Sequence, residues 1–308
     1  MDPVGPVAAI DCGTNSTRLL VVDSDGETLE RLTQITRLGA GVDATGQLAP
    51  DAVERCLSVL REYREVMDKF EVVGGRLVAT SAARDASNGD EFLAAAGAVT
   101  GLEPELLVGT EEGRLSMAGA VSDLVHERGP FLVLDIGGGS TELVTGAGPD
   151  DPELAVVSLQ VGCVRITERF LRGDPPTAAE LFGAESMINE LLDGAIADHP
   201  RFLAAHRLVG LAGTVTTLAS LQLGLDVYDR NQIHHAVLTA EGVYDWYRTL
   251  ASEVTAARLD RAGMVPGRED VIVGGALILA AVMTRFGFDE CLVSEADILD
   301  GMAAGLLA

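Results

Sequence analysis

The pattern of apolar and polar positions divides this chain into alternating strands and helices. Residues 7–23 read VAAIDCGTNSTRLLVVD: an apolar run, an aspartate, a turn rich in glycine and hydroxyls, then a second apolar run. Residues 131–146 repeat that order as FLVLDIGGGSTELVTG. Each predicts a β-hairpin with a small polar loop at its tip. Pro50–Phe70 has the apolar spacing of an amphipathic helix with an acidic first turn. Gly75–Thr80 predicts a short strand, Asp90–Thr100 a helix, and Leu106–Gly109 a strand running into an acidic step. Thr177–Ile196 reads as a helix after the Pro175-Pro176 break, and Leu208–Leu221 as a strand, a Gly-Thr turn and a helix. Val271–Thr284 predicts a heavily buried helix, Cys291–Val293 a strand, and a last helix starts at about Asp297. Such alternation defines an α/β protein.

The two hairpins lie too far apart for a solenoid period and suit a duplicated domain. With 308 residues, the expected division is residues 1–120 and 121–296, with a helix over about 297–308 packing back on the first part.

Composition narrows the function. Hydrophobic residues make up 47%, enough for a sizeable core. The net charge is −25, and Lys69 is the single lysine among 22 basic residues. A field of that sign repels nucleic acids and anionic membranes, so neither is an expected partner. A polyanionic substrate would need local arginines or a metal ion. The longest apolar run, Val271–Met283, falls short of the roughly 20 residues that a spanning helix needs. The N-terminus lacks the basic and apolar regions of a secretory signal. Four scattered cysteines (Cys12, Cys56, Cys163, Cys291) disfavour zinc and a disulfide framework, and point to the cytoplasm. The adjacent His234 and His235 read as a structural feature or pocket wall.

The hairpin loops carry the candidate chemistry. Gly13, Thr14, Asn15 and Ser16, and Gly137, Gly138, Gly139, Ser140 and Thr141, offer consecutive backbone N–H groups with hydroxyls beside them. Glycine permits positive φ and close approach of an anion, so each loop is a phosphate-binding candidate, and the pair a clamp. Asp11 and Asp135 end the strands that enter the loops, with Glu142 across the second; these are candidate metal ligands. An Asx-turn is the competing role for each aspartate.

With neither a Ser-His-Asp order nor a cysteine in a basic context, hydrolysis needs a water activated by a carboxylate. Glu111-Glu112-Gly113-Arg114 is the best candidate, and repulsion between the two glutamates could tune one as a base; an acidic first turn of a helix is the alternative. Arg18, Arg84 and Arg268 are candidate phosphate ligands, because arginine binds two oxygens at once. Gly213 and Thr214 in the Gly-Thr turn complete the set.

These segments resemble the exopolyphosphatase / guanosine pentaphosphate phosphohydrolase family, within the sugar-kinase, actin and heat-shock-chaperone ATPase superfamily. The resemblance runs through DCGTNSTR, ATSAARDA, GTEEGR, DIGGGSTE, GLAGTVTTLA and SEADILDG. It implies an α/β fold of two ribonuclease-H-like (actin-like ATPase) domains with a cleft between them. It makes Glu112, rather than Glu111, the general base, and assigns Asp135 and Glu142 to Mg²⁺ (or Mn²⁺) and the attacking water. Gly137–Gly139 and Ser140 would hold phosphate, Arg18 would contact it, and Arg268 would make a distal guanosine or phosphate contact. Thr14 stands where the family motif has its first serine, which keeps a hydroxyl. The implied activity is release of terminal phosphate from inorganic polyphosphate, with pppGpp as the alternative substrate, by a homodimer. The chain looks most like the short members of the family, for which short polyphosphates and poor processivity are expected. An ATPase of the same superfamily and a slow-turnover sensor of polyphosphate or alarmone are the competing classes.

Overall fold

The computed structural model describes residues 5–124 and 129–308, and it divides into two compact units. The first comprises Met1–Gly119 with Ile298–Ala308, the second Ala120–Asp297.

In the first unit, β1 (Val7–Cys12), β2 (Ser16–Val22) and β3 (Thr28–Ile35) form an antiparallel meander, and β4 (Gly74–Ala79) and β5 (Pro104–Leu106) extend it in parallel. The order is β3-β2-β1-β4-β5. Every residue of β1 is buried because both sheet faces are covered, which explains its unbroken apolar run. Ala8, Ile10 and Cys12 pack with Cys56, Leu60 and Tyr63 of the helix Pro50–Lys69 and with Phe92 of the helix Gly89–Thr100. Val7 and Ala9 pack with Leu299 and Met302 of the helix Ile298–Leu307.

The second unit repeats this plan with β6 (Phe131–Ile136), β7 (Thr141–Gly146), β8 (Ala155–Leu159) and β9 (Arg207–Leu211). It adds β10 (Val237–Thr239) and β11 (Glu290–Val293), giving the order β10-β11-β9-β6-β7-β8. Its core is built on the helix Ile272–Phe286, whose first turns are buried all round. The helix Ala178–Asp198 begins at a capping box: Glu180 accepts from the Thr177 N–H at 2.7 Å, and Thr177 accepts in return.

The strand expected over Leu106–Gly109 is shifted. β5 ends at Leu106, and Val108 O accepts from the N–H groups of both Glu111 and Glu112, so the chain turns at once into the helix Gly109–Ala120. β3 and β8 escaped the pattern because both are edge strands without a continuous apolar face. Among the described residues, no helix is long and apolar enough to cross a membrane.

Candidate active site

The two hairpins are built alike. In the first, the Gly13 N–H donates to Ser16 O at 3.0 Å; in the second, the Gly137 N–H donates to Ser140 O at 3.0 Å. Asp11 faces Arg18 directly across the β1–β2 ladder, and Asp135 faces Glu142 across β6–β7.

The side chains then diverge. Arg18 Nη2 donates to Asp11 Oδ2 at 2.6 Å and Nε at 3.0 Å, so a buried aspartate is matched by a guanidinium. In the second hairpin Asp135 is 6% exposed and Glu142 wholly buried. Glu142 accepts from Ser158 Oγ at 2.7 Å. Like charges directly opposite each other on a ladder repel. An all-oxygen, doubly anionic pair fits a hard divalent cation such as Mg²⁺ or Mn²⁺. In the first hairpin the Asp11 carboxylate instead meets the Arg18 guanidinium, an ion pair that braces the loop.

How the loops present their amides differs from expectation. None of Gly13, Gly137, Gly138 and Gly139 has φ in the left-handed region. A Cβ on Gly13 or Gly137 would instead lie 3.1 or 3.0 Å from the closing serine carbonyl, so a side chain there would crowd the turn. Presentation comes from carbonyl capture. The N–H groups of Cys163 and Val164 donate to Gly137 O and Gly138 O at 3.0 and 2.9 Å, and that of Arg165 also donates to Gly138 O, at 3.1 Å. Arg165 Nε donates to Gly139 O at 2.8 Å. In a planar trans peptide the C=O and the following N–H point in opposite directions. Holding three carbonyls on one side therefore turns the amides of Gly138, Gly139 and Ser140 to the other. None of these three donates to a backbone carbonyl among the described residues.

The first loop uses the same device. Gly39 N–H donates to Thr14 O at 2.8 Å, and those of Thr36 and Arg37 to Asn15 O at 3.1 and 2.9 Å, turning the amides of Asn15 and Ser16 away. Asn15 Nδ2 is a buried donor without a hydrogen-bond partner among the described residues. Thr14 wedges its methyl against Gly39 and Ala82.

Glu112 lies in the first turn of its helix and is 8% exposed, with Arg84 Nη1 3.6 Å from its carboxylate. Arg84 also donates to Leu107 O at 2.7 Å, and its Nη2 is a buried donor without a partner among the described residues. The structure thus joins Arg84 to Glu112. Glu111 faces another arginine: its charge adds to that of Glu105 in raising the pKa of Arg76. The two neighbouring glutamates therefore occupy separate electrostatic settings.

In the second unit, β9 runs parallel to β6 with Leu211 opposite Asp135, and the chain passes from β9 straight into the helix Ala212–Leu223 where a Gly-Thr turn was expected. Ala212 has φ 65°, a strained value for alanine. The Arg268 guanidinium lies against Gly213 so closely that a Cβ there would be 1.8 Å from Cζ. Arg268 and Gly213 thus form one unit of structure.

One expected phosphate ligand is committed to packing. Thr141 is wholly buried and donates to Val161 O at 2.6 Å, tying β7 to the segment after β8. Thr214 is buried, and its side chain lies close against Gly275. The Thr141 hydroxyl is spent on holding elements together.

Asp123, His234 and His235 each bring a ligand atom within 4.8 Å of the others. His234 Nδ1 accepts from the Glu295 N–H at 3.1 Å, so its proton sits on Nε2, which donates to Asp123 at 2.8 Å. That nitrogen is committed to a hydrogen bond, and the group reads as a tie between loops.

Gly162 and Arg165 were not among the residues expected at the site. A Cβ on Gly162 would lie 2.4 Å from Gly138 O, so the segment after β8 approaches the loop through glycine. The signal was present in the echo between the two halves: each meander is followed by a glycine-containing segment, Thr36–Gly39 and Val161–Arg165, that clasps its loop.

A duplicated antiparallel meander, continued by parallel strands and helices and closed by a glycine-containing loop at each hairpin, defines the actin-like ATPase fold. The Ppx/GppA phosphatase family model matches residues 20–308, and the chain belongs to that family. It is 42% identical to Exopolyphosphatase 2 of Mycobacterium tuberculosis over 97% of this chain and 98% of that protein. The crystal structure of an exopolyphosphatase-like protein superposes with a TM-score of 0.91 at 36% identity, covering 97% of this chain and 98% of the other. A Ppx/GppA family member from Aquifex aeolicus gives a TM-score of 0.79 at 33% identity, over 99% and 98%.

Proposed function

We propose that this protein is an exopolyphosphatase that releases orthophosphate from the end of inorganic polyphosphate, assisted by a divalent cation, Mg²⁺ or Mn²⁺. The observation that carries this reading is in the second unit: three amides turned to one side of a loop that leads from Asp135 to its buried partner Glu142. Membership of the Ppx/GppA phosphatase family and the likeness to Exopolyphosphatase 2 support it.

In this mechanism the amides of Gly138, Gly139 and Ser140 bind phosphoryl oxygens, and those of Asn15 and Ser16 serve the same chemistry in the first loop. Asp135 and Glu142 would hold the cation, which when bound withdraws charge from the phosphoryl group. Glu112 takes the proton of the attacking water at its carboxylate, and Arg84 holds that carboxylate in place. Arg268 supplies positive charge beside Gly213, offsetting the overall −25 where the substrate is also anionic.

The test is phosphate release with Mg²⁺ from short polyphosphate, long polyphosphate, pppGpp and ATP, with Glu112→Gln alongside. Release from polyphosphate that falls about 10²–10⁴-fold in the variant is the expected result. Faster release from pppGpp would make the nucleotide the substrate of the same site. Release from ATP alone, or binding without turnover, would overturn the reading.

A further inference from the structure

The three carbonyls of the second loop are not held alike. Gly137 O and Gly138 O are gripped by backbone N–H groups of residues 163–165, which are positioned by the helix Cys163–Phe170 whatever side chains it bears. Gly139 O takes no backbone N–H among the described residues; its donor is Arg165 Nε, at 2.8 Å. The peptide unit it belongs to is the one that carries the Ser140 amide. In the first loop the corresponding carbonyls, of Thr14 and Asn15, are both held by backbone N–H groups. A side chain therefore does in the second loop what the main chain does in the first.

We propose that Arg165 is a positioning residue of the phosphatase site: by holding Gly139 O it aims the Ser140 N–H at the substrate phosphate. The inference rests on the reading of the second loop as a phosphate site. A guanidinium suits the task because its Nε–H is planar with the rest of the fork and fixed in direction, whereas an ammonium rotates freely about its stem. The charge also polarises the Gly139–Ser140 peptide, which strengthens the amide as a donor to an anion. Loss of Arg165 frees one peptide plane and leaves its two predecessors captured, so the defect is confined to one amide.

The experiment follows amide resonances of ¹⁵N-labelled protein during titration with tripolyphosphate and Mg²⁺, in a Glu112→Gln background that blocks turnover. The Gly138, Gly139 and Ser140 amides should shift together. Adding Arg165→Ala should abolish most of the Ser140 response and leave that of Gly138. In the otherwise wild-type enzyme, Arg165→Ala should lower kcat about 10–100-fold, the range for groups that orient a ligand-binding residue, with a smaller change in KM and partial rescue by added guanidinium. Arg165→Lys, which keeps the stem and the charge, should show the same defect in weaker form, and it stands in if the alanine variant fails to fold. A folded Arg165→Ala or Arg165→Lys protein with wild-type kcat/KM and an intact Ser140 response would overturn the proposal. If the three amides ignore tripolyphosphate in Glu112→Gln alone, the phosphate-loop reading itself fails and takes this inference with it.

Discussion

At the position facing the strand-end aspartate, the first hairpin carries Arg18 and the second carries Glu142. The backbones close with the same Gly-to-Ser hydrogen bond, at 3.0 Å in both, and both loops are clasped by the segment after the third strand. One substitution of charge thus gives two copies of one framework different tasks. In the first, Asp11 and Arg18 form an ion pair that braces the loop from within. In the second, two buried carboxylates share a ladder rung. The comparison teaches that one position across the ladder decides whether the strand-end aspartate faces a positive charge or a second carboxylate.

The largest expected effect follows from removing the second carboxylate. Glu142→Gln keeps the shape and removes one charge; it should lower phosphate release about 10²–10³-fold, the scale for losing one preorganised charge-stabilising group. It should also weaken Mg²⁺ binding in calorimetry. Unchanged Mg²⁺ binding would break the contrast between the hairpins. Next comes the opposite change in the first hairpin. Arg18→Met strands Asp11 in a buried setting and should cost about 3 kcal/mol in denaturant unfolding. Adding Asp11→Asn should recover much of it; a single variant as stable as wild type would show that the pair is not a brace. The smallest effect compares the two clasps. Gly162→Ala puts a methyl 2.4 Å from Gly138 O, a backbone atom, whereas Gly39→Ala meets the Thr14 methyl at 2.3 Å and the Ala82 methyl at 3.0 Å. Both should cost about 1–3 kcal/mol, with the larger cost and a raised KM in Gly162→Ala, measured by unfolding and kinetics in parallel.

Much of this was legible in the chain. The hairpins announce themselves because β1 and β6 are buried on both faces and so read as unbroken apolar runs ending in an aspartate. The helix Ile272–Phe286 is equally plain, since only a helix at the centre of a core is apolar all round. β3 and β8 were not legible, because edge strands tolerate charge on both faces. Thr141 looked like a ligand because a hydroxyl in a glycine loop has the same letter whether it faces a substrate or a neighbouring strand; its bond, to Val161 O, depends on a residue distant in sequence.

The amino-acid order by itself determined the duplication, the two loops, the acidic turn and the family, since all of these reside in local pattern and spacing. Tertiary structure alone decided which charges meet. Arg84 reaches Glu112 rather than a loop, Arg268 lies on Gly213, and Arg165 takes the one carbonyl of the second loop that no backbone N–H among the described residues reaches. The physical reason is that a residue's type sets what it can donate or accept, while its partner is set by which strand ends and helix starts the fold brings within about 3 Å.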